Sequence, residues 1–190
     1  MNPVEYSEKA RSLAIYCDNS PWAKFAYPAL GLADEFGELL DKITLSHTYT
    51  KEDIAAELGD VLWYLVNVSE DAGTSFIDLL NMFVDIRITS FTQLGSYINV
   101  SSDIRPSIVR GPVHTGRIAG VAKKMIRDTN GVLTLEKLKI VHESLKEIIV
   151  CLYQIAWTWG INMDDVAQGN IKKLFSRKER GVLQGSGDNR

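Results

Sequence analysis

The chain is 190 residues long with a formal net charge of −3, 45% hydrophobic and 24% charged residues, which suits one domain or two small ones around a buried core. Mild acidity argues against nucleic acid as the main partner. The most apolar run, Ile148–Trp159, is too short to cross a bilayer and contains Gln154. The polar opening Met1–Arg11 is unlike a signal peptide, and Cys17 and Cys151 read as buried reduced thiols, so a soluble cytoplasmic protein is expected.

Apolar residues recur at helical spacing throughout, without sustained alternation, which predicts an all-α fold. Pro3 to about Cys17 is a short amphipathic helix with Ala10, Leu13, Ala14 and Cys17 inward, ended by Asp18–Pro21. Trp22, Phe25 and Tyr27 follow in a loop. The next helix carries Glu35-Phe-Gly-Glu38. After the connection Thr44–Lys51, another carries Glu57-Leu-Gly-Asp60 and runs to Gly73. Thr50 with Asp53 approximates a capping box at its start. A shorter helix is predicted from Phe76 to about Ile88. Thr89–Pro112, rich in Ser, Gly, Asn and Pro, reads as a boundary or long connection. Helices then cover Gly116–Asp128, Thr134–Gly160 and a last segment from Asn162 that holds Asn170, Lys173 and Arg177, before a polar tail from Gly181.

The two acidic pairs have i,i+3 spacing, so both carboxylates of a pair share a helix face. Glu35 and Glu38 edge the stripe Leu32, Phe36, Leu39 and Ile43, while Glu57 and Asp60 flank Leu58, Val61, Leu62 and Leu65. A single such pair is commonly a solvated face. Repetition of the design, with a Gly inside each pair at a cost of about 1 kcal/mol relative to Ala, points instead to something approaching closely. Tyr64, Asn67 and Asp71 continue the polar face of the second helix as if lining a pocket. Four carboxylates converging at one seam need cations, and hard oxygen ligands suit Mg²⁺ or Mn²⁺.

Tyr27-Pro-Ala-Leu-Gly-Leu-Ala-Asp-Glu-Phe-Gly-Glu-Leu39 followed by Glu57-Leu-Gly-Asp-Val-Leu-Trp-Tyr-Leu65 resembles the MazG-type all-α nucleoside triphosphate pyrophosphohydrolases. That family's signature is ExxE followed downstream by ExxD. The resemblance implies that Glu35, Glu38, Glu57 and Asp60 are metal ligands. It also implies that the loop with Trp22 borders the nucleotide base, and that an Asn, a Lys and an Arg after ExxD handle phosphates. Lys123–Asp128 and the stretch from Asp165 to the end also resemble short phage-like members.

Leu58–Gly73 superposes without a gap on Leu145–Gly160, which suggests an internal repeat. In that register Glu147 stands for Asp60 and Ser144 for Glu57. Aligning Gly116 with Gly37 puts His114 where Glu35 would be and Arg117 where Glu38 would be. The second copy is therefore expected to bind no metal of its own. Conversely, Asn170, Lys173 and Arg177 match the family's phosphate set, where the first half offers only Arg87. The expected organisation is 1–100 as a half with the metal site, 101–112 as a connection and 113–190 as a degenerate half. The two halves would pack as a pseudo-dimer sharing one site. Lys172–Arg180 also reads as a solvated basic helix end favoured by its C-terminal dipole.

Mg²⁺-dependent cleavage of a nucleoside triphosphate to the monophosphate and pyrophosphate is the expected reaction, with Glu38 accepting the water's proton. Lys42 either reaches a phosphate or is an i,i+4 partner for Glu38. Tyr64 would bond a phosphate oxygen. Dispersed histidines and the lack of a Walker loop or dinucleotide fingerprint leave no competing motif. The alternative is a non-catalytic helical module that binds nucleotide or a partner. Base, sugar and oligomeric state stay open, a homo-oligomer included.

Overall fold

A computed structural model describes residues 1–16, 22–45, 48–84 and 86–182. Cys17, the helix stop at Asp18–Pro21 and most of the C-terminal tail lie outside the described residues. Among those described there are eight α-helices and no strand.

The first helix, α1 (Pro3–Ser12), starts where the Asn2 side chain accepts the Glu5 N–H at 2.9 Å. It buries Tyr6 and Ala10, with Leu13 just beyond, and stops short of the predicted end. The second, α2 (Ala23–Thr44), begins earlier than expected: Trp22 occupies its N-cap, and Phe25 and Tyr27 lie within the helix rather than in a loop. Pro28 lies inside this helix, where it removes one backbone bond. Burial of Phe25, Ala26 and Ala29 on either side of it offsets that loss. The third, α3 (Lys51–Asp71), opens with the Thr50–Asp53 capping box and is closed by Gly73 at φ 83°.

The next helix, α4 (Phe76–Asn81), is shorter than predicted. Its last turn tightens, with the Phe83 N–H bonding the Leu80 carbonyl at 3.0 Å, and the chain leaves the helix. The stretch read as a connection contains α5 (Phe91–Gly95) and the first two turns of α6 (Arg105–Thr129). Pro106 suits the first turn of α6. Gly111–Pro112, read as a break, is a packing point: a Cβ at Gly111 would lie 2.0 Å from the Phe36 ring, so the missing side chain lets α2 and α6 meet. The last two helices, α7 (Leu135–Thr158) and α8 (Met163–Glu179), follow the expected boundaries, capped by Thr134 and Asn162.

α2 and α3 form one helical hairpin, α6 and α7 another, and the two pack together through α2–α6 and α3–α7. Leu32, Phe36 and Leu39 of α2, Leu58 and Leu65 of α3, Ile118 of α6 and Leu145 and Ile148 of α7 fill the shared core. α8 lies along α3, and α1 covers α3, α4 and α8. This arrangement lays a helix from the C-terminal end of the chain against the acidic face of α3.

Candidate metal centre

Glu57 and Asp60 sit one turn apart on α3, and Glu35 faces them from α2 across the hairpin. Each offers a carboxylate oxygen, and these oxygens all lie within 4.8 Å of one another. Glu57 is buried, while Glu35 and Asp60 are half-buried. Burial pushes the Glu35 carboxyl up to about 8, and the charges of Asp60, Glu57 and Glu38 push the same way, while Lys173 opposes them. Three crowded hard-oxygen donors, one driven towards its neutral form, fit a divalent cation of the Mg²⁺ or Mn²⁺ type.

Two lysines reach the cluster. Lys42, in the last turn of α2, pairs with Glu57 across the hairpin, an arrangement that neither reading of the sequence anticipated. Lys173 of α8 places Nζ 2.5 Å from Asp60 Oδ2. Asn170, one turn before it, donates from Nδ2 to Asp60 Oδ1 at 2.9 Å. The buried Tyr6 hydroxyl of α1 in turn donates to Asn170 Oδ1 at 3.0 Å, which orients the amide. Gly59 makes this approach possible, since a Cβ there would lie 2.8 Å from Asn170 Cβ.

Residues 28–85 match the MazG nucleotide pyrophosphohydrolase domain, and this stretch holds the whole acidic cluster. The chain is also 43% identical over 75 residues to the "Gene 37 protein" of Mycobacterium phage L5, an alignment covering 40% of this chain and 66% of the phage protein. The chain thus spans just under two thirds of that relative's length. No solved structure matches.

The MazG domain does not contain α8, yet α8 supplies both side chains that hold Asp60. Arg177, one turn beyond Lys173, is buried in the same helix. Glu38 lies apart from the three clustered acids. It is exposed on α2, in a groove with Asp34, Asp41 and Tyr49, although its charge still reaches Glu35. A Cβ added at the adjacent Gly37 would meet nothing within 4 Å, so close approach explains Gly59 but not Gly37.

Tyr64 is half-buried with its ring over Gly31, where a Cβ would lie 2.1 Å from the ring. Burial, and next a hydrogen bond with Tyr27, raise its hydroxyl above the usual tyrosine range, and the charges of Glu35 and Asp60 add to this. Trp22 is not brought to the acids. Thirteen residues separate it from Glu35 along α2, about 20 Å at 1.5 Å per residue. Asn67 and Asp71 are engaged from α1 and the residues after it: Arg11 bonds Asn67 at 2.7 Å and Asp71 at 2.8 Å, and Tyr16 also bonds Asp71.

The equivalent positions of the second hairpin are differently occupied. Glu147 lies 3.6 Å from Arg110, Ser144 is buried, and burial followed by the Arg117 charge lowers the His114 imidazole. Among the described residues, the Glu35–Glu57–Asp60 group is the one cluster that brings three such donors together. Sequence reasoning missed Tyr6. Its only signal was an inward position one turn before Ala10, which marks core and gives no hint of the amide it holds.

Proposed function

We propose that the chain is a Mg²⁺-dependent nucleoside triphosphate pyrophosphohydrolase that releases the nucleoside monophosphate and pyrophosphate. The observation that carries this reading is the convergence of Glu35, Glu57 and Asp60 within 4.8 Å, with Lys173 and Asn170 of α8 on Asp60. Glu35, Glu57 and Asp60 would hold the ion, and Glu38, on the same helix one turn from Glu35, is its fourth candidate ligand. When bound, Mg²⁺ supplies charge neutralisation at the phosphates and activation of water.

The chain's own residues do the rest. Lys42 and Lys173 exchange their carboxylate partners for phosphate oxygens as substrate arrives, and Arg177 and Tyr64 add further donors. Asn170, held by Tyr6, keeps Asp60 oriented while Lys173 turns. Glu38 accepts the proton of the attacking water. The water oxygen bonds to the α-phosphorus, the bond from that phosphorus to the α–β bridging oxygen breaks, and pyrophosphate leaves with the electron pair. Trp22 would act on substrate only at the far end of α2, away from the phosphates.

The two ion pairs, Lys42–Glu57 and Lys173–Asp60, also favour a second reading. They partly neutralise the cluster without any metal, as a non-catalytic nucleotide-binding module would require. Pyrophosphate release from a panel of ribo- and deoxyribonucleoside triphosphates, with Mg²⁺ and with EDTA, separates the two. The enzyme reading expects Mg²⁺-dependent pyrophosphate and monophosphate from at least one substrate. Binding without any release would support the module.

A further inference from the structure

A cleft of about 390 Å³ opens between the N-terminal half of α3 and the start of α8. Ala55 and Ala56 form one wall, Val166 and Gly169 the other, and its surface is mainly apolar. Asn170 and Lys173 line one end, and these are the two side chains bonded to Asp60. The cleft therefore ends at the two residues that bond the acidic cluster. On α3, Ala56 and Glu52 precede Asp60 by four and eight residues on roughly the same face, about 6 and 12 Å along the axis.

We propose that this cleft holds the nucleoside of the substrate. The inference rests on the pyrophosphohydrolase reading, in which phosphates lie at Asp60 and Lys173, and names where the rest of the molecule goes. The base lies flat between the α3 alanines and Val166, an apolar slot within a cleft that Lys51, Glu52, Asn162 and Asp165 also line, the mix of apolar walls and placed polar groups that small-molecule sites use. The carboxylates of Glu52 and Asp165, which also line the cleft, accept hydrogen bonds from hydroxyl or amino groups of the nucleoside. The aromatic residues on the other side of Asp60 suit the base less well, because they already pack on one another. Tyr16 stacks on Tyr27 with centroids 4.8 Å apart, Trp63 meets Tyr64 edge-on at 4.8 Å, and Tyr64 fills the hollow over Gly31.

Two substitutions fill the cleft without touching the acids. Ala56 is an exposed helical position, and a Cβ at Gly169 would meet nothing within 4 Å, so Ala56→Trp and Gly169→Leu should both fold. Binding of each common nucleoside 5′-monophosphate, and of inorganic pyrophosphate as a control, is measured calorimetrically with Mg²⁺ present, where no turnover occurs. Folding of each variant is checked by circular dichroism. The expected result is that both variants lose at least tenfold in affinity for the monophosphate that wild type binds best, while pyrophosphate affinity changes less than twofold. Unchanged monophosphate affinity in the variants overturns the proposal, as does wild type binding no monophosphate, or a loss produced instead by Tyr27→Ala. Monophosphate binding in the cleft by a protein that releases no pyrophosphate would leave the nucleoside site standing and remove the enzyme reading alone.

Discussion

Replacing Glu35 with Gln keeps the shape of the side chain and removes one of three acids whose oxygens lie within 4.8 Å of one another. Two unit charges at that distance repel by about 3.5 kcal/mol at an effective dielectric of 20, and Glu35 faces two. The rise of its carboxyl from 4.5 to about 8 corresponds to about 5 kcal/mol. Solvent reaching the half-buried group reduces the observable effect to roughly 2–4 kcal/mol. Between pH 4.5 and 8 the folded chain binds this proton more tightly than the unfolded chain, so the contribution to stability falls as pH rises through that window. Urea unfolding in EDTA at pH 4.5 and pH 9 should show wild type losing that amount relative to Glu35→Gln, with the two nearly equal at pH 4.5. Excess Mg²⁺ at pH 9 should restore wild type far more than the variant. Parallel pH profiles for the two proteins, or equal Mg²⁺ responses, would refute the crowding on which the metal assignment stands.

Lys173→Ala and Arg177→Ala should each lower turnover by about tenfold or more, equivalent to about 1.4 kcal/mol, as read by steady-state pyrophosphate release. Glu147→Gln should leave turnover within about twofold, because its partner Arg110 and the neighbouring Ser144 and His114 assemble no comparable cluster. Gly111→Ala should destabilise the fold by about 1–3 kcal/mol in urea, since its new methyl group meets the Phe36 ring at 2.0 Å.

The acids were legible because i,i+3 spacing beside an apolar stripe fixes a face. Glu35, Glu57 and Asp60 need only a tight hairpin to meet. Glu38 shares that spacing, but it is exposed in a groove with Asp34, Asp41 and Tyr49, outside the group of three. Breaker residues misled where tertiary packing decides. Gly111–Pro112 looks like a break, but the Phe36 contact at Gly111 keeps α6 intact. Arg11 was not seen to claim Asn67 and Asp71, because no local pattern says which side chain from another helix will arrive. Asn170 and Lys173 entered through resemblance alone, and the contact with Asp60 depends on how α8 is laid along α3. Tyr6 had no chemical signal in the sequence at all.

Mn²⁺-dependent binding of an α,β-imido nucleoside triphosphate, followed by calorimetry and by the Mn²⁺ magnetic resonance signal, tests the acidic cluster most directly. Wild type should show one metal-dependent nucleotide site per chain. Asp60→Asn should weaken it at least tenfold, and Glu147→Gln should leave it unchanged. Two equivalent sites per chain, or wild-type binding by Asp60→Asn, would contradict a single metal centre built from Glu35, Glu57 and Asp60.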